Sequence, residues 1–340
     1  MKTSRRDFIT RSGLALAGIS AGLNSIADAR NLQIHTGKTT GKFASLLEAD
    51  ISDAFKISMF SKHLQWLDYE NMARVAVEIG LDGLDLTVRP DGHVLPENVD
   101  VDLPKVMDAV KKAGLNVYMI TTAIIDADDP LTSKILKTAS ALGIRHYRMG
   151  WLHYDDKKSV DENISLVQGK LSKLAELNEK YSISGEYQNH SGVGAEGIYF
   201  GGALWDLAGV LKSINSPWLG SQYDIYHATV EGANTWPIGL KIIRPYIRSI
   251  VIKDFKWTEK DGKSKTKSVP LGDGTVEFKK YFSLLKQYGV EVPVSLHCEH
   301  DLGGAESGAK QLTMKEEDVI SAMKKDLSVL KKYLQEAGLV

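Results

Sequence analysis

The chain has 340 residues, 42 Lys and Arg against 43 Asp and Glu, and a formal charge of −1; hydrophobic residues make up 43% of it. So even a balance gives no electrostatic case for nucleic-acid binding driven by phosphate contacts. A single cysteine excludes a disulfide framework, a cysteine-based zinc site and a CxxC redox pair.

The N-terminus comes first. Lys2, Arg5, Arg6 and Arg11 stand against one acid, Asp7, and an uncharged stretch rich in Ala, Gly and Leu runs from Gly13 to Ala27. Ala27-Asp28-Ala29 then offers the small-x-small pattern that a signal peptidase reads. The apolar run, about 15 residues, falls short of the roughly 20 that a transmembrane helix needs. Ser4-Arg5-Arg6-Asp7-Phe8-Ile9 resembles a twin-arginine export signal. The expectation is an export signal over residues 1–30, a linker over 31–50 and a folded region over 51–340. The protein is then periplasmic or otherwise exported, with no stable membrane insertion after cleavage. Without residues 1–30 it holds 37 basic and 41 acidic residues, a net −4.

Beyond residue 50, short β-rich runs alternate with longer amphipathic ones. The predicted strands are Lys56–Phe60, Gly83–Val88, Asn116–Thr121, His146–Gly150, Ile183–Gln188, Gly220–Asp224, Ser249–Asp254 and Pro293–Glu299. Helical patterns lie between them, among them Asn71–Ile79, Leu103–Ala113, Thr132–Ala141, Asn163–Lys180 and Phe278–Tyr288, and Glu316–Ala337 closes the series. Gly80, Gly114, Gly143 and Gly289 each follow a periodic run, where a helix C-cap wants φ > 0. Thr258–Ser268, with four Lys, reads as a mobile loop after the seventh strand. Eight βα units over ~300 residues give an α/β fold, a single (β/α)8 TIM barrel. A doubly wound sheet is the alternative, but no GxGxxG follows the first strand and no GxxxxGK[ST] occurs.

In such a barrel, chemistry collects at the C-terminal ends of the strands. Seven of the nine His fall there: His63, His93, His153, His190, His227, His297 and His300. The two-residue side-chain period gives an inward set. It contains Asp85, Thr87 and Arg89; His146 and Arg148; Glu186, Gln188 and His190; Gln222 and Asp224; Val251 and Lys253; and Ser295, His297 and Glu299. A closed core would not hold so many unpaired charges. Several have a plainer structural reading. Glu186 can pair with Lys253 or Arg148, Lys253 with Glu299, and His190 with a loop carbonyl. Trp151, Phe255 and Trp257 can stack on sugar faces or pack under loops.

These segments resemble the sugar isomerase/epimerase superfamily with the xylose-isomerase-like barrel. The resemblance rests on Tyr187-Gln188-Asn189-His190, Asp224-Ile225-Tyr226-His227, Ile252-Lys253-Asp254, Pro270-Leu271-Gly272-Asp273-Gly274 and Ser295-Leu296-His297-Cys298-Glu299. It implies one divalent cation held by Glu, Asp, His and Glu on strands five to eight. Carried over position by position, only Asp224 survives; the other positions read Gln188, Val251 and His297. Three readings stay open. A cation (Mn, Zn or Ni) is re-sited on Asp224, His297 and either Glu186 or Glu299. Or the site is metal-free, with Lys253 polarising a carbonyl. Or the alignment shifts by two residues and Glu186 and Glu299 become the usual carboxylates.

The shared chemistry is proton abstraction beside a sugar carbonyl, leading to isomerisation, epimerisation or β-elimination. Glu186, Lys253 and Glu299 are the expected catalytic groups, with His297 or His190 as further bases. Arg148, Gln188, His190, His227 and Trp257 are the expected substrate-binding set, and Asp224 and His297 the expected metal ligands. Export points to an unphosphorylated small carbohydrate as partner. Barrels of this kind often pair as homo-oligomers. The alternative function is a non-catalytic exported carbohydrate-binding barrel, motivated by the lost ligand positions. An endonuclease of the same fold would need a basic groove, which a net −4 does not supply.

Overall fold

The computed structural model describes residues 53–340. The expected export signal and linker lie outside the described residues. Eight parallel strands close into a barrel: β1 (Ile57–Phe60), β2 (Gly83–Val88), β3 (Asn116–Thr122), β4 (His146–Arg148), β5 (Ser184–Gln188), β8 (Leu219–Asp224), β9 (Ile247–Ile252) and β12 (Val294–Leu296). Each pairs with the barrel strands before and after it in the chain, and β12 closes on β1 through Ile57 opposite Val294. The two remaining strand pairs are small hairpins beyond the barrel's end, β6/β7 (Val193–Gly194, Gly197–Ile198) and β10/β11 (Asp254–Lys260, Lys263–Val269).

Nearly every position of these strands is buried, because helices cover one face and the barrel interior fills the other. That is why Val, Ile and Leu alternate with Asp85, Glu186 and Gln222 rather than with solvent-facing lysines. The helices are α1 (Tyr69–Ile79), α2 (Val99–Lys112), α3 (Pro130–Ala141), α4 (Val160–Tyr181), α5 (Trp205–Ile214), α6 (Ile225–Gly232), α7 (Trp236–Ile243), α8 (Phe278–Tyr288) and α9 (Glu316–Ala337). Local chemistry sets their ends. Asp68 caps α1, and Ser159 with Glu162 forms a full capping box on α4. Gly80 ends α1 at φ 93° and Gly289 ends α8 at φ 62°, backbone that a side chain would strain. No helix among the described residues is long and apolar enough to cross a membrane.

One segment corrects the sequence reading. Thr258–Ser268 is not a loop but most of the β10/β11 hairpin, paired in continuous register from Asp254 opposite Val269 to Lys260 opposite Lys263. Its turn residues Asp261 and Gly262 have φ of 55° and 69°, the geometry of a type I′ turn.

Asp254, at the foot of that hairpin, is a clamp. Its carboxylate accepts from the backbone N–H groups of Phe255, Gly272, Gly274 and Val276 at 2.9–3.2 Å, gathering the 270–276 turn beside the barrel mouth. Asp254→Ala strands these donors. It is expected to lower unfolding stability by at least ~2 kcal/mol in a urea titration. An unchanged midpoint would mean that water replaces the carboxylate without cost.

Candidate active site

At the C-terminal end of the barrel lies a cavity of 260 Å³. Six residues expected at the site line it: Arg148, Gln188, His190, Lys253, His297 and Glu299. Phe60, Lys62, Arg89 and Trp151 complete the wall. Asp224 and His227 stand directly behind Lys253. Glu186 and Trp257 do not reach the cavity.

Lys253 follows β9 and is almost fully buried. Its ammonium lies 3.1 Å from Glu299 Oε2, 3.3 Å from Asp224 Oδ2 and 2.9 Å from His227 Nε2. Burial acts to lower its pKa, but Asp224 and Glu299 outweigh that and raise it, so the amine stays protonated. His227 Nε2 stands 2.9 Å from that nitrogen, and on its other side His227 Nδ1 accepts from the Ser191 backbone N–H at 3.1 Å, with the Ser191 hydroxyl 2.8 Å away. Burial works against ionisation of Glu299, yet Lys253 and Lys62 hold its carboxyl well below the usual range. Lys62 reaches its other oxygen at 3.0 Å. The ion pair foreseen between Lys253 and Glu299 is therefore present, and it sits at the cavity surface rather than in a closed core.

His297 is set up by a chain of hydroxyls. Thr121 Oγ1 donates to Asp85 Oδ1 at 2.8 Å and Ser295 Oγ donates to Asp85 Oδ2 at 2.7 Å. A hydroxyl carries one proton, so Ser295 Oγ must accept from His297 Nε2, 3.2 Å away. The imidazole proton is thus on Nε2. His297 Nδ1 has no hydrogen-bond partner among the described residues; Glu299 Oε1, at 3.7 Å, is beyond reach. Burial pushes the His297 pKa down to about 3 despite the pull of Glu299, which leaves a neutral imidazole with a bare lone pair. The Phe60 ring stacks on it at 4.4 Å and fixes its plane.

His190 is the second neutral imidazole on the cavity. Burial and the nearby Lys253 bring its pKa down to about 3. Its Nδ1 lies 2.9 Å from the Ser191 carbonyl, so Nδ1 carries the proton and Nε2 is the basic atom. In the barrel order β12, β9, β8, β5, His297 and His190 flank Lys253 on either side.

Glu186 points inward as its parity requires, but one layer below the cavity. Its oxygens take His146 Nδ1 at 2.7 Å and the Ser249 hydroxyl, so it pairs with neither Lys253 nor Arg148. Parity gives direction, not depth. Trp257 sits on the β10/β11 hairpin, 49% exposed, packed edge-on against Phe255. Lys62, which the sequence reading missed, belongs to the 3-10 turn Ser61–Leu64 just after β1. A basic residue two positions past a strand end was its only signal.

The donor set does not fit the divalent cation implied by the resemblance. Val251 offers no donor atom and Gln188 is spent between Arg148 (2.7 Å) and Asp224 (2.9 Å). Among the described residues no three His, Cys, Asp or Glu converge to hold a metal ion. A cation re-sited on Asp224, His297 and Glu299 would have to displace the Lys253 ammonium, which already bridges Asp224 and Glu299. The shift by two residues fails on Glu186, whose oxygens are engaged in the lower layer.

Comparison with known proteins agrees with this architecture. A family model described as "Xylose isomerase-like TIM barrel" matches residues 73–332. No curated protein matches the chain. Among solved structures, a 3-keto-D-glucoside 4-epimerase from E. coli is similar at TM-score 0.58 and 15% identity, covering 82% of this chain and 99% of its own. A D-allulose 3-epimerase from Methylomonas sp. is similar at 0.59 and 16%, covering 83% and 98%. A probable 3-DHS dehydratase from Bacillus anthracis is similar at 0.60 and 14%, covering 82% and 99%. At these identities the likeness establishes the fold.

Proposed function

The chain belongs to the xylose isomerase-like TIM barrel family, and on that premise we propose that it moves a proton at the carbon beside a carbonyl of a small carbohydrate. The outcome is epimerisation, isomerisation or β-elimination. The observation that carries this reading is Lys253: a protonated amine facing the cavity, with a neutral, correctly tautomerised histidine on each side of it in the barrel. A carbonyl oxygen set against the Lys253 ammonium gains negative charge as the adjacent proton leaves, and a cation already held in place by Asp224 and Glu299 stabilises that charge without reorganising. His297 Nδ1 takes the proton and then holds it for return to the adjacent carbon or for a departing hydroxyl; His190 Nε2, unprotonated at the start, is the base for a proton on the other face. Asp224 and Glu299 keep the lysine charged and aimed. Glu299, ionised and tied to two lysines, orients rather than abstracts. Two epimerases and a dehydratase among the structural neighbours are consistent with one barrel supporting these related outcomes.

The loss of three of the four usual ligand positions also suits a carbohydrate-binding barrel without catalysis. Nuclear magnetic resonance of candidate keto-sugars in D2O separates the two. Deuterium entering the carbon next to the carbonyl supports the enzyme; saturable binding with no exchange supports the binding protein.

A further inference from the structure

The charges around the cavity do not cancel. Lys62, Arg89, Arg148 and Lys253 line it, and Glu299 is the only acidic residue in the lining. Asp224 stands behind Lys253, and Asp85 lies deeper in the barrel. Lys62 and Lys253 are matched by Glu299 and Asp224 at 3.0–3.3 Å. Arg89 and Arg148 are not matched. Among the described residues, neither guanidinium has a carboxylate within ion-pair distance. Both stand on the Phe60 ring, 5.4 and 5.8 Å from its centre, and Arg148 also lies 4.4 Å over Trp151. Asp85 acts on both guanidiniums and Asp91 on Arg89 through space, but neither is in contact with them, and the Asp85 oxygens are taken by Thr121 and Ser295. Lys62 and Lys253 thus spend their charge on Glu299 and Asp224, while the two guanidiniums line the cavity with no carboxylate in contact among the described residues.

Arg148 makes that arrangement expensive. It is 3% exposed, Nη1 donates to the neutral Gln188 Oε1 at 2.7 Å, and Nε has no partner. Burial and Arg89 bring its pKa down to about 9, which still leaves it charged at neutral pH. A buried guanidinium with one neutral partner costs free energy unless a ligand completes it. Gln188 is the reason none of its own neighbours does. The amide gives its oxygen to Arg148 and its N–H to Asp224 Oδ2 at 2.9 Å, where a Glu would have neutralised the arginine.

We propose that the substrate carries one carboxylate, held by Arg148 and Arg89, so that the ligand class is an acidic monosaccharide: a uronate or a keto-aldonate. The proposal rests on the proton-transfer reading for its reaction, but not for the charge. A guanidinium fork matches a planar carboxylate in two hydrogen bonds. A carboxylate supplies the contact that no protein carboxylate makes to these two guanidiniums. The cavity of 260 Å³ is below the range of drug-sized pockets and suits one sugar ring. The carboxylate serves as the anchor on the Phe60–Trp151 wall, leaving Lys253 to the carbonyl.

The test is calorimetric titration of the full chain, in chelator-containing buffer, with uronates and keto-aldonates, their neutral parent sugars and hexose 6-phosphates. The expected result is a preference of roughly ten- to a hundredfold for the best carboxylate over its neutral parent. Gln188→Glu should abolish it by supplying Arg148 with an internal carboxylate, and Arg89→Met, at a half-buried position, should reduce it. Three results overturn the proposal: neutral sugars that bind as tightly as the acids, tightest binding by the phosphates, or a preference that survives both substitutions. Deuterium exchange on the same samples separates this proposal from the one beneath it. Preference for acids without exchange removes the proton-transfer reading alone; exchange into neutral keto-sugars with no preference removes the carboxylate alone.

Discussion

Lys253→Met is expected to lower kcat by about 10²–10³-fold, the loss seen when one fixed donor to a developing oxyanion is removed. KM should change far less, because the interaction strengthens only as negative charge builds. The variant also leaves Asp224 without its ammonium. Breaking a buried pair in this way costs about 3–5 kcal/mol when the remaining charge cannot escape. Here Asp224 can escape: burial already raises its pKa to about 6, and removal of the lysine raises it further, so it takes up a proton instead. Glu299 keeps Lys62 at 3.0 Å. The variant should therefore fold at mildly acidic pH with a lower Tm and a collapsed kcat. A folded variant with normal turnover and only a lower Tm would reduce Lys253 to a structural ion pair.

His297→Gln should cost about 10²–10⁴ in kcat, the range for removing a positioned general base. The pH dependence is more diagnostic than the size. His297 itself titrates near 3, so it cannot shape an acid limb in the working range. Asp85 can: burial raises its pKa to about 6 in spite of the Ser295 and Thr121 hydroxyls that favour the ionised form. Once protonated, Asp85 donates to Ser295, Ser295 turns its own proton toward His297 Nε2, and the imidazole proton moves to Nδ1. Activity should accordingly fall below about pH 6. Stability should move the other way. The folded state binds the Asp85 proton more tightly than the unfolded chain, whose ordinary value is 3.8. This group therefore adds stability as pH drops from about 6 toward that value, and the contribution is lost as pH rises through 6. Asp85→Asn should give low activity with no acid limb. A limb that persists in this variant would assign it to another group.

The fold was legible because two periodicities run through the whole chain. Helices α8 and α9 and strand β2 carry the bounds that hydrophobic spacing predicts, and the glycines after α1 and α8 mark the stops. The inward parity of Asp85, Arg148, Gln188 and His297 was legible for the same reason. What spacing does not carry is depth. Glu186 and Gln188 share a face, yet only Gln188 reaches the cavity, while Glu186 is locked by His146 one layer down. Nor does spacing show what a neighbouring chain segment inserts. Phe60 enters from the end of β1 and Lys62 from the turn after it, and the Lys253 ammonium occupies the gap between Asp224 and Glu299 that a cation would need. The β10/β11 hairpin was hidden by its lysines, which read as a solvated loop; Asp261-Gly262 was the signal that outweighed them.

The most direct test of the account is solvent exchange under metal-free conditions. Chelator-treated protein is incubated in D2O with keto-sugars and keto-aldonates, and deuterium at the carbon beside the carbonyl is followed by nuclear magnetic resonance. The account predicts incorporation that survives chelation and disappears in Lys253→Met and His297→Gln. Bound sugars that never exchange, or exchange that vanishes with the chelator and returns with an added divalent metal, would contradict it.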